Sequence, residues 1–127
     1  MPALEHLDVP GAARPKASYS QAVRVGDLLY TAGFGPHDPA TGQVRGDTVE
    51  EQTEATLENL RAVLGAADLT FADVVRVGVH LRNLERDFAG FERVYRAHFA
   101  EPYPARTTVG SALPGILVEI ELVAGGA

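Results

Sequence analysis

The stretch Val75-Arg76-Val77-Gly78-Val79-His80-Leu81 decides the fold, because every second residue over positions 75–81 is a large apolar one. An alternation with a period of two is typical of a β-strand that buries one face. Over residues 87–99 the apolar residues recur three and four positions apart, which predicts an amphipathic helix. Asp87 is the predicted N-cap, and Pro102 and Pro104 end the helix. The apolar stripe consists of Phe88, Phe91, Val94, Tyr95 and Phe99.

The part of the chain before this stretch predicts a hairpin and another helix. Residues 20–25 and 28–31 are β-runs joined by a tight turn at Gly26-Asp27. Thr48 and Glu51 form a capping box, since the hydroxyl can accept from the Glu51 amide while the carboxylate reaches back. A helix over about residues 48–66 follows.

Two more β-runs, at residues 106–110 and 116–123, complete the order β-β-α-β-α-β-β, with room for a further strand near residues 3–8. This order predicts one α+β domain over residues 1–127, a sandwich in which two helices cover one face of a mixed sheet. In the last run Glu119 and Glu121 point away from its apolar residues. The uncovered face is therefore neither wholly polar nor wholly apolar, and it is a candidate for subunit contact.

The composition excludes several classes of function. A net charge of −6, a pI near 5.1 and eleven scattered basic residues argue against a nucleic-acid partner. The chain has no cysteine, which excludes disulfides, Cys-based zinc sites and a thiol nucleophile. No run of 18 apolar residues is present, and the N-terminal residues lack the pattern of a leader, so we expect no membrane partner and a cytoplasmic location.

Common site motifs are also missing. The histidines have no metal-ligand spacing, so no metal site is expected. Gly33-Phe34-Gly35 lacks the remaining glycine of a dinucleotide fingerprint, and Ser18, Ser20 and Ser111 lie in no nucleophile elbow. The four histidines are His6, His37, His80 and His98.

Arg106 is the first candidate for chemistry, because it opens a strand directly after a proline turn. An arginine at a rigid strand start can hold a carboxylate with two parallel hydrogen bonds, although pairing with one of the seventeen acidic residues is the alternative. Glu119 and Glu121 lie about 6.5–7 Å apart on one strand face. One of them could position water while the other pairs with a cation or faces solvent.

Ordered motifs extend over residues 19–124, most of the chain. They are Tyr19-Ser20-Gln21-Ala22-Val23 with Val25-Gly26, Thr31-Ala32-Gly33, Asp38-Pro39-Ala40-Thr41-Gly42, Glu51-Gln52-Thr53, Leu57-Glu58-Asn59-Leu60, Asp73-Val74-Val75, Asp87-Phe88, Val94-Tyr95, Pro104-Ala105-Arg106 and Val118-Glu119-Ile120-Glu121. Together they resemble the Rid (YjgF) family of reactive-intermediate deaminases.

The resemblance implies a chorismate-mutase-like fold and a homotrimer with clefts between its subunits. It implies that Arg106 grips the substrate carboxylate and that Glu119 positions or activates water. Tyr19 would line the cleft, and Gly33, with Phe34 beside it, would contact the substrate. The chain departs from the common family pattern at Phe34, at Glu92 and in a shorter segment from Arg106 to Glu119.

The implied activity is hydrolysis of reactive 2-imino or 2-enamino acids to 2-oxo acids and ammonia. It needs no cofactor, because the imine carbon is already electrophilic and positioning is most of the task. The alternative is a non-catalytic trimer that binds a small carboxylate metabolite or a protein partner. An endoribonuclease activity, as claimed for some relatives, conflicts with the charge of −6.

Overall fold

The structure, a computed structural model, describes residues 3–125 and contains two helices packed on a six-stranded mixed sheet. The elements are β1 (Leu4–Leu7), β2 (Ala22–Val25), β3 (Leu28–Thr31), α1 (Val49–Ala66), β4 (Val74–Leu81), α2 (Leu84–His98), β5 (Ala105–Gly110) and β6 (Val118–Gly125), with a 3-10 turn at Phe71–Asp73. The predicted α+β class and element order are confirmed, including the strand near residues 3–8.

The sheet has the strand order β1-β2-β3-β6-β4-β5, so the last strand in sequence lies between β3 and β4. All neighbouring strands are antiparallel except β4 and β5, which are parallel and are linked through α2. The hairpin between β2 and β3 turns at Gly26, whose φ of 57° lies in the left-handed region that favours glycine. The strand order places β5 at one edge of the sheet, beside α2.

Helix α1 begins as its sequence predicts. The Thr48 hydroxyl accepts from the Glu51 amide at 3.2 Å, and the Glu51 carboxylate accepts from the Thr48 amide at 3.2 Å. Leu57, Leu60 and Val63 are fully buried against the sheet, and each such side chain contributes about 1.5–3 kcal/mol relative to exposure. The helix is held by its apolar face more than by its cap.

Helix α2 begins three residues before its predicted N-cap. Asn83 occupies the N-cap without a side-chain hydrogen bond, and Leu84 is the first helical residue. Asp87 lies inside the first turn, is 7% exposed and accepts from Nε of Arg86 at 2.8 Å. A carboxylate in the first turn favours the helix through its dipole without capping it, so the prediction of Asp87 as the cap was wrong.

The two faces of the sheet differ as predicted. The face toward the helices buries Val77, Val79 and Leu81 of β4 together with apolar residues of β6. The opposite face, called the open face below, carries His80, Glu119, Glu121 and the half-exposed Tyr30. No element of the described range covers this face, which mixes acidic and apolar side chains. Within that same range, neither helix is long and apolar enough to cross a membrane.

Candidate functional site

Arg106 lies on the edge strand β5 and faces the helices. Its Cα partner is Val77 of β4, so both side chains point to the face covered by α2. The guanidinium carbon lies 4.5 Å from the ring centroid of Tyr95 and 5.5 Å from that of Phe91. These cation–π contacts follow from the aromatic stripe of α2.

Arg106 also pairs with Glu92, one turn before Tyr95. Nη1 of Arg106 and Oε1 of Glu92 are 2.8 Å apart, and the two side chains are only 20% and 27% exposed. The distance is that of a charge-assisted contact, although within residues 3–125 no N–H group is aligned as a hydrogen bond on the buried Oε1 atom. The alternative considered for Arg106, an acidic partner of its own chain, is therefore present.

The hydroxyl of Tyr95 is the second buried polar atom here, and within the described range no hydrogen bond is aligned on it, although the Arg106 guanidinium is close. Burial raises the pKa of the Tyr95 phenol, and the neighbouring Arg106 cation opposes that shift. Tyr95 is therefore neutral at physiological pH. As a neutral phenol it can donate a hydrogen bond to a ligand or accept one from it.

These groups line a cavity of about 450 Å³ at the edge between α2 and β5. Its volume is in the range of small-molecule sites. Two acidic and two basic side chains face it, so its formal charges balance. The lining residues are Glu92, Tyr95, Arg96, Glu101, Tyr103, Pro104 and Arg106.

Glu119 and Gly33 meet on the open face. A Cβ atom placed on Gly33 would lie 2.7 Å from Oε2 of Glu119, so glycine leaves room for the carboxylate in this position. Among the hydrogen bonds and ion pairs of residues 3–125 there is one to Glu121 but none to the Glu119 carboxylate. Glu119 is half-buried and is available to a water molecule or a ligand.

Phe34 does not accompany Gly33 on this surface. Its amide donates to Ile120 O at 2.8 Å, and its carbonyl accepts from the Ile120 amide at 2.9 Å. The ring is 4% exposed and belongs to the core of its own chain. A substrate contact from the Phe34 side chain, as expected from the sequence, does not fit this burial.

Glu121 is held by His80, which the sequence alone did not predict. His80 Nε2 lies 2.9 Å from Glu121 Oε1, and His80 Nδ1 lies 2.8 Å from the Ser111 hydroxyl. The three residues come from β6, β4 and the segment after β5, and only the strand register brings them together. Of the two glutamates, Glu121 is therefore the paired one.

Tyr19 lies in the segment before β2 and is 49% exposed. Its amide donates to Ala17 O at 3.0 Å. Its ring is thus at the surface of the chain, where a cleft residue could stand. Its part in a site stays a prediction.

Buried amides hold the loop that carries Gly33. Asn59 Nδ2 donates to Gly35 O and to His37 O, each at 3.0 Å, and Asn59 Oδ1 accepts from the Ala13 amide. Gln52 Oε1 accepts from the Leu117 amide at 2.8 Å. The signal in the sequence is an amide side chain on the apolar face of a helix, where only a hydrogen-bonded amide is tolerated.

Arg106 and Glu119 do not meet within one chain. Arg106 is paired with Val77, whereas Glu119 is paired with His80, three residues further along β4. Residues at odd spacing on a strand point to opposite faces, so the two side chains lie on opposite faces of the sheet. No cluster of three His, Cys, Asp or Glu side chains within residues 3–125 is arranged to hold a metal ion.

Comparison with known proteins identifies the family. The family model described as endoribonuclease L-PSP matches residues 11–125. A RutC family protein of Saccharolobus solfataricus is 45% identical over 89% of this chain and 90% of its own. A 2-iminobutanoate/2-iminopropanoate deaminase of Dermatophagoides farinae is 34% identical over 92% of each chain.

A solved structure agrees. The crystal structure of RidA from an Antarctic bacterium, Psychrobacter sp., superposes with a TM-score of 0.90 at 37% identity, covering 96% of this chain and 99% of that one. The superposition includes the two helices and the mixed sheet, so the expected fold is confirmed. The chain belongs to the endoribonuclease L-PSP family, which is also the YjgF, RutC and Rid family.

Proposed function

We propose that the protein hydrolyses 2-imino acids, and the enamines that tautomerise to them, to 2-oxo acids and ammonia. The observation that carries the proposal is the Glu119 carboxylate, which has no hydrogen-bond or ion-pair partner among residues 3–125 and for which Gly33 leaves room on the open face. The deaminase relative, 34% identical, supports the same chemistry. An unpaired carboxylate beside exposed backbone can orient water toward an electrophilic carbon.

The proposal requires a second subunit, because Arg106 and Glu119 lie on opposite faces of one sheet. We propose a homotrimer with clefts between its subunits, in which Arg106 of one subunit approaches Glu119 of the next. The partly apolar open face supports association, since Tyr30 and Leu28 are exposed there beside the acidic residues. Light scattering at micromolar concentration should give three times the chain mass of 13.5 kDa. A monomer mass would contradict the shared site.

In the proposed reaction Arg106 holds the carboxylate of the 2-imino acid. Water oriented by Glu119 attacks the imine carbon, and the C–O bond forms as the C=N π electrons move to nitrogen. Glu119 takes a proton from the water and passes it to the nitrogen. Glu119 then moves the proton of the carbinol hydroxyl to the nitrogen, the C–N bond breaks with its electron pair leaving on ammonia, and the C=O bond of the 2-oxo acid forms.

A non-catalytic trimer that binds a carboxylate in the same cleft is the second candidate. The observation that favours it is the Arg106–Glu92 ion pair, which already occupies one edge of the guanidinium. Both candidates use Arg106, and only the enzyme uses Glu119.

The deciding experiment measures 2-iminopropanoate and 2-iminobutanoate, generated in place, with and without the protein. An enzyme accelerates imine decay and releases ammonia in equal amount. Imine decay at the uncatalysed rate, with the protein folded and trimeric, would favour the binding role.

A further inference from the structure

The cation that is expected to receive a carboxylate is not free. Arg106 faces Glu92 at 2.8 Å in a cavity that also contains Glu101 and Arg96. A ligand that brings only a negative charge would place it beside two carboxylates. A plain carboxylate would therefore bind Arg106 against local repulsion or would have to displace Glu92.

Glu92 has room for a further hydrogen-bond donor beside Arg106, since a carboxylate has about four lone-pair sites. Its buried Oε1 atom lies 2.8 Å from Nη1 of Arg106, and within residues 3–125 no hydrogen bond is aligned on it. A ligand N–H at this position would add a charge-assisted hydrogen bond and would therefore be favourable. A cationic nitrogen would in addition restore the charge balance that a ligand carboxylate disturbs.

Arg106 can serve both carboxylates. A guanidinium presents five N–H donors in a plane, and Glu92 lies against only one of its terminal nitrogens. The remaining donors can hold a ligand carboxylate, while the ligand's own nitrogen reaches Glu92. A nitrogen on the carbon next to the carboxylate fits this arrangement, because the two binding groups are themselves neighbours.

We infer that Glu92 makes this cavity selective for ligands that carry a cationic nitrogen next to the carboxylate, namely 2-iminium acids and 2-amino acid zwitterions. Plain carboxylates and 2-oxo acids bind more weakly. The inference rests on the proposed function only in taking the 2-imino acid as the physiological ligand. It adds a route for product release, because hydrolysis replaces the nitrogen that Glu92 holds with a carbonyl oxygen that it repels.

The test compares binding of alanine, pyruvate and propanoate to the full chain by calorimetry. The parent should bind alanine about tenfold or more tightly than pyruvate or propanoate. In Glu92→Gln, alanine should weaken and the two carboxylates should tighten, so that the preference falls about tenfold or more, which corresponds to ~1.4 kcal/mol per factor of ten. Glu92→Asn serves as a second variant if the first folds poorly by circular dichroism.

Glu58→Gln is the matched control, because it removes the same charge from an exposed position of α1 outside the cavity lining. It should keep the parental preference. Equal binding of alanine and pyruvate to the parent, or an unchanged preference in Glu92→Gln, would overturn the inference, and so would the absence of any binding at millimolar ligand.

The ligand selectivity and the proposed imine hydrolysis can be refuted independently of each other. Selective alanine binding without imine hydrolysis would refute the proposed enzyme and leave the role of Glu92 intact. Imine hydrolysis without selective alanine binding would refute the role of Glu92 and leave the proposed enzyme intact.

Discussion

Two regions of the molecule treat charge in opposite ways. At the α2–β5 edge, Arg106 is paired with Glu92, stacked on Tyr95 and largely buried. On the open face, Glu119 lies beside Gly33 and has no ion-pair partner among residues 3–125. Under the proposed function, the first region would hold the ligand and the second would keep a carboxylate free for water. Binding and bond-making would then belong to separate surfaces, which a neighbouring subunit would bring together.

The largest expected effect is at Glu119. Glu119→Gln should lower imine turnover about 10²–10⁴-fold, the usual contribution of a general base, because an amide keeps the shape but takes no proton. Carboxylate binding should change little. Single-turnover kinetics with 2-iminopropanoate, together with alanine calorimetry, separate the two quantities.

Glu121→Gln is the control for Glu119, since it lies on the same face two residues further along the strand. His80 already holds this carboxylate at 2.9 Å, so turnover should stay near the parental value. Equal losses in the two variants would show that the unpaired acid has no special role.

Arg106→Ala should lower kcat/KM for the imine by roughly thirty- to a thousand-fold, because it removes a charge-assisted contact worth on the order of 2–4 kcal/mol. Arg106→Lys should lose less, since it keeps the charge without the planar fork. Parental hydrolysis by Arg106→Ala would reduce Arg106 to an ion-pair partner of Glu92.

Arg106→Ala should also unfold at a lower temperature, because Glu92 is left half-buried without its cation at a cost of about 1–3 kcal/mol. Adding Glu92→Gln should recover part of this stability but none of the turnover. Thermal unfolding and imine assays of the single and double variants measure the two contributions.

A smaller effect is expected when a methyl group is added beside each glutamate. In Gly33→Ala the new Cβ would lie 2.7 Å from Glu119 Oε2, so the carboxylate must move away. Because this misplacement of the base is modest, turnover should fall about tenfold. In Gly78→Ala the new Cβ would meet Glu121 Cδ at 3.1 Å instead. Turnover of that control should stay close to the parental rate, and equal losses would contradict the contrast between the two acids.

The smallest expected effect is on folding stability and concerns the N-terminal cap of α1, outside both regions. Backbone hydrogen bonds from Asp47 and Thr48 hold the pKa of Glu51 below its usual value of 4.5. The stability from this cap is complete above pH 4.5 and is lost as the pH falls through the lowered pKa. Urea unfolding should therefore show a smaller loss between pH 6 and pH 3 for Glu51→Gln than for the parent. An identical pH dependence would show that the cap does not titrate.

Most of the helices and strands could be predicted from the sequence because each has a local signal. The period of two in β4 and the capping box of α1 need no knowledge of the rest of the chain. The start of α2 was misplaced because Asp87, a residue type common at N-caps, lies inside the first turn, where an acidic side chain is also favourable.

The pairings of the candidate site were beyond local reasoning. Glu92 and Arg106 are fourteen positions apart, on a helix and a parallel edge strand, and their contact depends on how α2 crosses β5. The same is true of His80 and Glu121, which the register of β4 and β6 brings together. Local patterns also cannot show that Arg106 and Glu119 face opposite ways, since this requires the pairing of three strands.

The position of β6 has a consequence for how the chain acquires its structure during synthesis. β6 is made after every other described strand, yet it forms hydrogen bonds with both β3 and β4 in the middle of the sheet. Until residues 118–125 emerge, β1–β3 and the β4-α2-β5 unit have no strand that joins them into one sheet. Pairing between strands that are far apart in sequence is slow, and the edges of β3 and β4 stay exposed until β6 pairs with them. A nascent chain arrested before residue 118 should therefore bind chaperones and be cut by protease, and release of the last eight described residues should protect both halves at once.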